Sequence, residues 1–121
     1  MKKKTLVVGV SEKTDRYANM AVRNLQDAGQ PIIAFGFRAG KINETPIVTE
    51  FPTKKEEVHT VTLYLSAKNQ VQFYDKIIAL NPDRVIFNPG TQNSEFEELL
   101  AKNKITFESA CTLVMLSTGT Y

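Results

Sequence analysis

The chain has 121 residues, of which 42% are hydrophobic, a size and composition that predict one domain with one core. Its net charge is only +2, and the basic excess lies mostly in Lys2, Lys3 and Lys4, so nucleic acid is not expected as a partner. No apolar run approaches the ~20 residues of a membrane span, and the N-terminal segment does not resemble a signal peptide. Together with a single cysteine, Cys111, these features predict a cytoplasmic protein without an internal disulfide.

The first half of the chain predicts a βαβ unit. The β-branched apolar run from Thr5 to Val10 is typical of a strand buried on both faces. Apolar residues at helical spacing between Tyr17 and Ala28 predict a helix that stops at Gly29, and residues 31–37 predict the second strand. Glycine and prolines in residues 38–55 predict a loop with one short edge strand at Ile47-Val48.

The second half continues the alternation. Residues 58–65 are rich in β-branched side chains and predict a third strand that ends at residues 66–69. A helix is expected around residues 71–78, then a strand at 84–87. Ser94 with Glu97 forms a capping-box pattern that predicts the start of another helix. A short strand over residues 105–107 precedes the C-terminal segment.

This alternation predicts an α/β, Rossmann-like, doubly wound fold that forms a single domain over residues 1–121. Helical crossovers imply a mainly parallel sheet of about five strands with helices on both faces. Ligands bind such sheets at the carboxyl ends of the strands, where the winding reverses, so the loops after Val10, Phe37 and Leu65 should face one crevice. Because the edges of a small open sheet need protection, a homodimer is a plausible assembly.

The loop from Gly9 to Arg16 is the first candidate for ligand binding. Gly9 allows a ligand close to the backbone, Ser11 offers a hydroxyl, and the free N–H groups of a helix start favour an anion. Arg16 can hold a phosphate through two hydrogen bonds. The loop lacks the further glycines of the dinucleotide fingerprint and the Gly-Lys-Ser/Thr ending of a P-loop, so an ordinary turn with a solvated arginine is the alternative interpretation.

The end of the second strand carries Phe37, Arg38 and Lys41 but no acid of the kind that binds ribose in NAD domains. The two cations suit a ligand with an additional phosphate, such as NADP or coenzyme A (CoA); a charged, solvated loop is the alternative. Neither the lone His59 nor Cys111 has a partner at catalytic spacing, and metal-ligand spacing is absent. Cys111 is predicted to be a small buried hydrophobe, and a thiol facing the ligand is the less common possibility.

Several features together resemble the small stand-alone CoA-binding domain proteins. That family is similar in fold to the CoA-binding N-terminal domain of the succinyl-CoA synthetase alpha subunit. The shared features are Gly9-Val10-Ser11 with Arg16-Tyr17, the strand 59–65, the turn Phe87-Asn88-Pro89-Gly90, and Cys111 near the end. The resemblance covers essentially the whole chain. Many members carry Val-Asn-Pro after the second strand and Trp-x-Gln-x-Gly after the fourth, where this chain has Gly36-Phe37-Arg38 and Phe87-Asn88-Pro89-Gly90.

The resemblance implies a CoA site over the crevice. Its residues would be Gly9, Val10, Ser11, Arg16 and Tyr17 at the pyrophosphate, Phe37, Arg38 and Lys41 at the ribose-phosphate end, and Tyr64, Leu65 and Ser66 beside the adenine or pantetheine. It implies a non-catalytic carrier, sensor or partner module for CoA or an acyl-CoA, because 121 residues hold neither the phosphohistidine domain nor the nucleotide-grasping subunit of the synthetase. The alternative function is a small nicotinamide-dinucleotide-binding enzyme or redox sensor on the same fold. A third hypothesis is a mixed disulfide between Cys111 and the CoA thiol.

Overall fold

The computed structural model describes residues 2–121, which form one seven-stranded sheet flanked by helices. The strands are β1 Thr5–Val8, β2 Ile32–Phe35, β3 Gly40–Ile42, β4 Thr45–Val48, β5 Thr60–Leu63, β6 Arg84–Phe87 and β7 Thr106–Ser109. The α-helices are α1 Tyr17–Asp27, α2 Ala67–Gln70, α3 Tyr74–Leu80, α4 Ser94–Lys102 and α5 Thr112–Thr118, and 3₁₀ turns cover Lys54–Glu56 and Val71–Phe73. Within residues 2–121, none of the helices combines the length and hydrophobicity required to cross a bilayer.

The strand order is β3-β4-β2-β1-β5-β6-β7, and every neighbouring pair is parallel except the antiparallel pair β3 and β4. The chain winds outward from β1 to β2 on one side and then continues from β5 on the other side. The reversal therefore lies at β1, between β2 and β5, which is where doubly wound sheets bind their ligands. The Rossmann-like prediction is confirmed, with seven strands where about five were expected.

Helices cover both faces of the sheet, which explains the continuous apolar run in β1. Val7 packs with α1 and α5, whereas Leu6 and Val8 on the same strand pack with α3 and α4 on the opposite face. All four residues of β1 are fully buried. An unbroken hydrophobic strand is the expected result when a helix lies on each side of it.

The β3-β4 hairpin corrects the loop predicted for residues 38–55. Asn43 adopts a left-handed conformation (φ 52°) that allows the tight turn between the strands. Gln26 of α1 then fastens the hairpin, because its Nε2 donates to the Ile42 carbonyl and the Thr45 hydroxyl, both at 2.8 Å. Pro46 lies in β4 itself, opposite Lys41. Proline is expected to break a strand, but contacts distant in sequence hold this one.

Other element boundaries also differ from the sequence predictions. α4 begins at Ser94, where the sequence predicted a helix, but the residue that caps it is Asn93, whose side chain accepts a hydrogen bond from the Phe96 N–H at 3.1 Å. β1 ends at Val8 rather than Val10 because Gly9 turns the chain with φ +100°. The C-terminal segment, for which no regular element was predicted, forms α5.

Candidate functional site

A cleft of about 610 Å³ opens at the carboxyl ends of the central strands. Four segments line it, one after each of β1, β2, β5 and β6. The lining residues are Gly9, Val10, Ser11, Lys13, Arg16, Tyr17 and Ala18 from the first segment, Phe37 and Arg38 from the second, Tyr64, Leu65 and Ser66 from the third, and Pro89, Gly90 and Thr91 from the fourth. The cleft therefore lies over the reversal of the winding.

The structure brings together all the residues predicted for the site except Lys41. Lys41 lies in β3 with an exposed side chain and does not line the cleft. Its backbone N–H instead donates to the carboxylate of Glu12 at 3.0 Å. Lys41 is therefore the one predicted site residue that the structure does not bring to the cleft.

Sequence reasoning missed one whole wall of the cleft. This wall is the segment Pro89 to Thr91, which follows β6, and the first segment also contributes Lys13 and Ala18. The strand order supplies the reason, because β6 lies beside β5 and its carboxyl end shares the same edge of the sheet. The turn residues Asn88-Pro89-Gly90 were visible in the sequence, but the position of their strand in the sheet was not.

Residues 9–16, named here the anion loop, begin with two backbone contacts. The N–H groups of Gly9 and Val10 both donate to the Phe35 carbonyl at 2.9 Å. A Cβ on Gly9 would lie 3.0 Å from Leu65 Cδ2 and 3.2 Å from the Tyr64 carbonyl oxygen. Glycine is therefore required here both by its positive φ and by the close approach of the β5 end.

Two polar residues of α1 hold the remainder of the anion loop. The buried Asn19 donates from Nδ2 to the Ser11 carbonyl at 2.9 Å, and Arg23 donates to the Thr14 carbonyl at 2.8 Å. Arg23 also donates from Nε to Asn19 Oδ1 at 2.8 Å, so the two side chains form one support. An asparagine between the apolar residues of a helix face was the sequence signal for such a buried hydrogen bond.

The start of α1 presents uncapped N–H groups to the cleft. Arg16 occupies the N-cap position, makes no side-chain capping bond, and the first turn contains no acidic residue. The first N–H donors of a helix have no partner within it and carry the positive end of the helix dipole. Because Arg16, Tyr17 and Ala18 all line the cleft, these donors are available to an anion there.

Three cationic side chains, those of Lys13, Arg16 and Arg38, surround this helix start. Among residues 2–121, none of the three makes a side-chain hydrogen bond or ion pair, and the described lining contains no carboxylate. Unpaired cations in a concave surface raise the local concentration of anions. The electrostatics of the cleft therefore favour a ligand with several negative charges.

Two aromatic side chains stand at the mouth of the cleft with most of their surface exposed. Tyr17 is 69% exposed and Phe37 is 60% exposed. The Phe37 ring lies 6.2 Å from Phe35 and 6.1 Å from Phe73, so its inner edge is fixed by the core while its outer face is free. A large exposed aromatic ring held in place is suited to stacking against a planar ligand group.

Tyr64 is one of the residues that line the cleft. Its hydroxyl is fully buried and has no hydrogen-bond partner within residues 2–121. Burial raises the pKa of Tyr64 to about 12, and the nearby Cys111 acts in the same direction. The neighbouring Thr112 and Thr62 hydroxyls oppose this shift, but they hydrogen-bond to each other at 2.8 Å and not to the phenol. The phenol is therefore neutral at physiological pH and does not add charge to the site.

His59 and Cys111 lie outside the cleft lining. His59 precedes β5, at the amino end of the sheet, and its Nε2 lies 3.6 Å from Asp83 Oδ2. Desolvation lowers the pKa of His59, and Asp83 opposes that shift. Cys111 is half-buried and directly precedes α5. The mixed-disulfide hypothesis gains no support from this placement.

A family model described as a CoA binding domain matches residues 3–117. Among solved structures, the crystal structure of an uncharacterized protein has 44% sequence identity and a TM-score of 0.93, and the match covers 100% of this chain and 99% of that one. No curated protein matches the chain.

Two more distant structures share the same architecture. A protein from Thermus thermophilus has 20% identity and a TM-score of 0.87, with 99% of this chain and 91% of that chain covered. A hypothetical protein from Pyrococcus horikoshii OT3 has 18% identity and a TM-score of 0.87, with 97% and 83% covered. At these identities the similarity shows the fold alone.

Proposed function

Since the chain belongs to the CoA binding domain family, we propose that it holds CoA or an acyl-CoA in the cleft at the reversal of the winding. The observation that carries this proposal is the combination of an uncapped helix start with three cations that have no partner within residues 2–121 and a described lining free of carboxylates. CoA carries a pyrophosphate on the 5'-oxygen and a phosphate on the 3'-oxygen of a ribose that also bears the planar adenine. A cationic cleft with exposed aromatic rings is complementary to such a molecule.

The pyrophosphate fits the anion loop. Arg16 lines the cleft at the start of α1, beside the backbone N–H groups of the first turn, and Ser11 adds a hydroxyl. Guanidinium groups bind phosphate through two parallel hydrogen bonds, which gives orientation as well as attraction. Lys13, which sequence reasoning did not include, supplies a further cation in this loop.

The phosphorylated ribose is assigned to the segment after β2. Arg38 lines the cleft there and Phe37 offers its exposed ring. Lys41 contributes only if the 3'-phosphate extends past Arg38 toward β3. The segment Tyr64 to Ser66 then lies beside the pantetheine or the adenine, and Pro89 to Thr91 closes the opposite side.

The proposed role is that of a carrier, sensor or partner module. The cations that line the cleft, Lys13, Arg16 and Arg38, can bind an anion but stay protonated. Tyr64, with a pKa of about 12, is neutral at neutral pH and cannot act as a base there.

The competing function is a nicotinamide-dinucleotide protein on the same fold. The segment after β2 places arginine in the cleft, where NAD domains place an acid for the ribose hydroxyls.

Calorimetric titration with CoA, dephospho-CoA, NAD and NADP tests the proposal, together with mass spectrometry of any ligand that remains bound after purification. We expect micromolar or tighter binding of CoA and weaker binding of dephospho-CoA. Arg16→Ala should weaken CoA binding by about 10- to 100-fold, as removal of a charge-assisted hydrogen-bonding group does. Lys102→Ala, which removes an exposed cation in α4, is the control. Binding of a nicotinamide dinucleotide but not CoA would contradict the proposal.

A further inference from the structure

Three exposed residues, Phe37, Arg38 and Ala39, form a short arm between β2 and β3. A glycine stands at each end of this arm, Gly36 before it and Gly40 after it. The anion loop touches both glycines. A Cβ on Gly36 would collide with the Val10 carbonyl oxygen, and a Cβ on Gly40 would lie 2.5 Å from Glu12 Cδ.

Glu12 makes the second of these two contacts through its carboxylate. Its Oε2 accepts a hydrogen bond from the Lys41 backbone N–H at 3.0 Å while the side chain lies across Gly40. At the other end of the arm, the Gly36 N–H donates to the Val48 carbonyl at 3.0 Å. The arm is therefore fixed at both ends, and Glu12 supplies the side-chain contact that joins its far end to the anion loop.

The orientation of Glu12 is informative because a carboxylate near an anion site would repel a phosphate. Glu12 belongs to the anion loop, yet it does not line the cleft and is directed at the Lys41 backbone. In this position the Glu12 carboxylate accepts the hydrogen bond of the Lys41 N–H in β3 and lies outside the cleft lining. An arm fixed before binding also loses less conformational freedom when the ligand arrives.

We propose that Glu12 is a positioning residue, which holds the Phe37 to Ala39 arm so that Arg38 faces the anionic ligand. This inference rests on the proposed function, since it assigns Glu12 a role in the same site. It predicts that loss of the Glu12 contact weakens ligand binding through Arg38. Removal of the charge alone should not have that effect.

The test compares four variants by calorimetric titration with CoA. Glu12→Ala removes the acceptor, and we expect about fivefold weaker binding, the scale of one hydrogen bond. Glu12→Gln keeps an acceptor oxygen and should bind nearly as the unaltered protein does. Gly40→Ala retains every charge but displaces the flexible Glu12 side chain, so it should resemble Glu12→Ala. Glu98→Ala removes an exposed carboxylate of α4 that does not line the cleft, and as the charge control it should bind CoA as the unaltered protein does.

A double-mutant cycle with Arg38→Ala separates positioning from a general effect on the fold. If Glu12 acts through Arg38, Glu12→Ala should change the affinity less than about twofold in the Arg38→Ala background. Equal losses in the two backgrounds would overturn the inference. So would tighter binding by both Glu12→Ala and Glu12→Gln, since that result would mean simple charge repulsion.

Amide hydrogen exchange at Lys41 distinguishes failure of this inference from failure of the proposed function. Protection of the Lys41 amide should fall in Glu12→Ala and persist in Glu12→Gln, whichever ligand binds. Unaltered protein that does not bind CoA would overturn the proposed function and, with it, the role of Glu12 in that site. CoA binding that is the same in Glu12→Ala and unaltered protein would overturn the role of Glu12 alone.

Discussion

The side-chain oxygen of Asn88 accepts a hydrogen bond from the backbone N–H of Thr112 at 2.9 Å. The Nδ2 of the same amide donates to the Leu63 carbonyl at 2.9 Å and to the Thr62 hydroxyl at 2.6 Å. Asn88 is only 1% exposed, so all three bonds form away from water. One buried amide thus joins the end of β5, the end of β6 and the start of α5 beneath the cleft.

Asn88→Ala should lower the free energy of unfolding by about 2 to 3 kcal/mol, because it leaves buried donors and acceptors without partners. Urea denaturation measures the change. Asn103→Ala is the matched control, since Asn103 also donates from its amide, to the Leu99 carbonyl at 2.8 Å, but at an exposed position. Equal losses in the two variants would contradict the importance assigned to burial.

Tyr64→Phe should leave the free energy of unfolding unchanged or raise it by up to about 1 kcal/mol. The substitution removes a buried hydroxyl that has no partner within residues 2–121 and retains the ring. Thermal and urea denaturation report the effect, and the Tyr64 phenol of the unaltered protein should titrate near pH 12. If the free energy of unfolding instead fell by more than about 1 kcal/mol, the Tyr64 hydroxyl would have a hydrogen-bond partner in solution.

Gly9→Ala should cost about 2 to 3 kcal/mol of folding free energy, since alanine is strained at φ +100° and its Cβ would crowd Leu65. Gly90→Ala is the control. Gly90 has a similar φ of +88°, but a Cβ there would meet nothing within 4 Å. The difference between the two losses of folding free energy measures the part that comes from the close approach of Gly9 to the residues after β5. Equal costs would mean that backbone strain alone accounts for the effect.

His59 should make folding stability dependent on pH below about 6.5. Burial lowers the folded-state pKa of His59 beneath its ordinary value of 6.5, so the unfolded chain binds the proton more readily. The contribution to stability is therefore lost as the pH falls through 6.5 toward the folded-state pKa. Because the chain has one histidine, its NMR titration gives a single unambiguous curve. His59→Gln should remove this part of the pH dependence, and a folded-state pKa above 6.5 would contradict the prediction.

The central strands could be predicted because their signal is local. The runs at Thr5 and at Val58 are dense in β-branched residues, and burial on both faces keeps Asp, Glu, Lys and Arg out of them. The same patterns placed the loops after β1, β2 and β5 at one edge of the sheet. Most of the cleft residues follow from that topology alone.

The missed elements depend on contacts between residues far apart in the chain. Gln26 fastens the β3-β4 hairpin across 16 to 19 residues, and no local pattern around Pro46 shows it. The start of α5 is held by Asn88, and its Met115 and Leu116 pack against the cluster that contains α1. The contact of Glu12 with the Lys41 N–H spans 29 residues in the same way. Sequence periodicity reports burial, but it does not report which partner a polar side chain finds.

The anion loop is held by groups that do not face the ligand. The Phe35 carbonyl, Asn19 and Arg23 fix its backbone, whereas the side chains of Lys13, Arg16 and Arg38 make no described contact that the fold requires. During evolution, the cations can therefore be exchanged by single mutations at little risk to folding. We therefore expect ligand preference to diverge among homologues through changes of these cations, while the glycines and Asn19 that hold the loop stay the same.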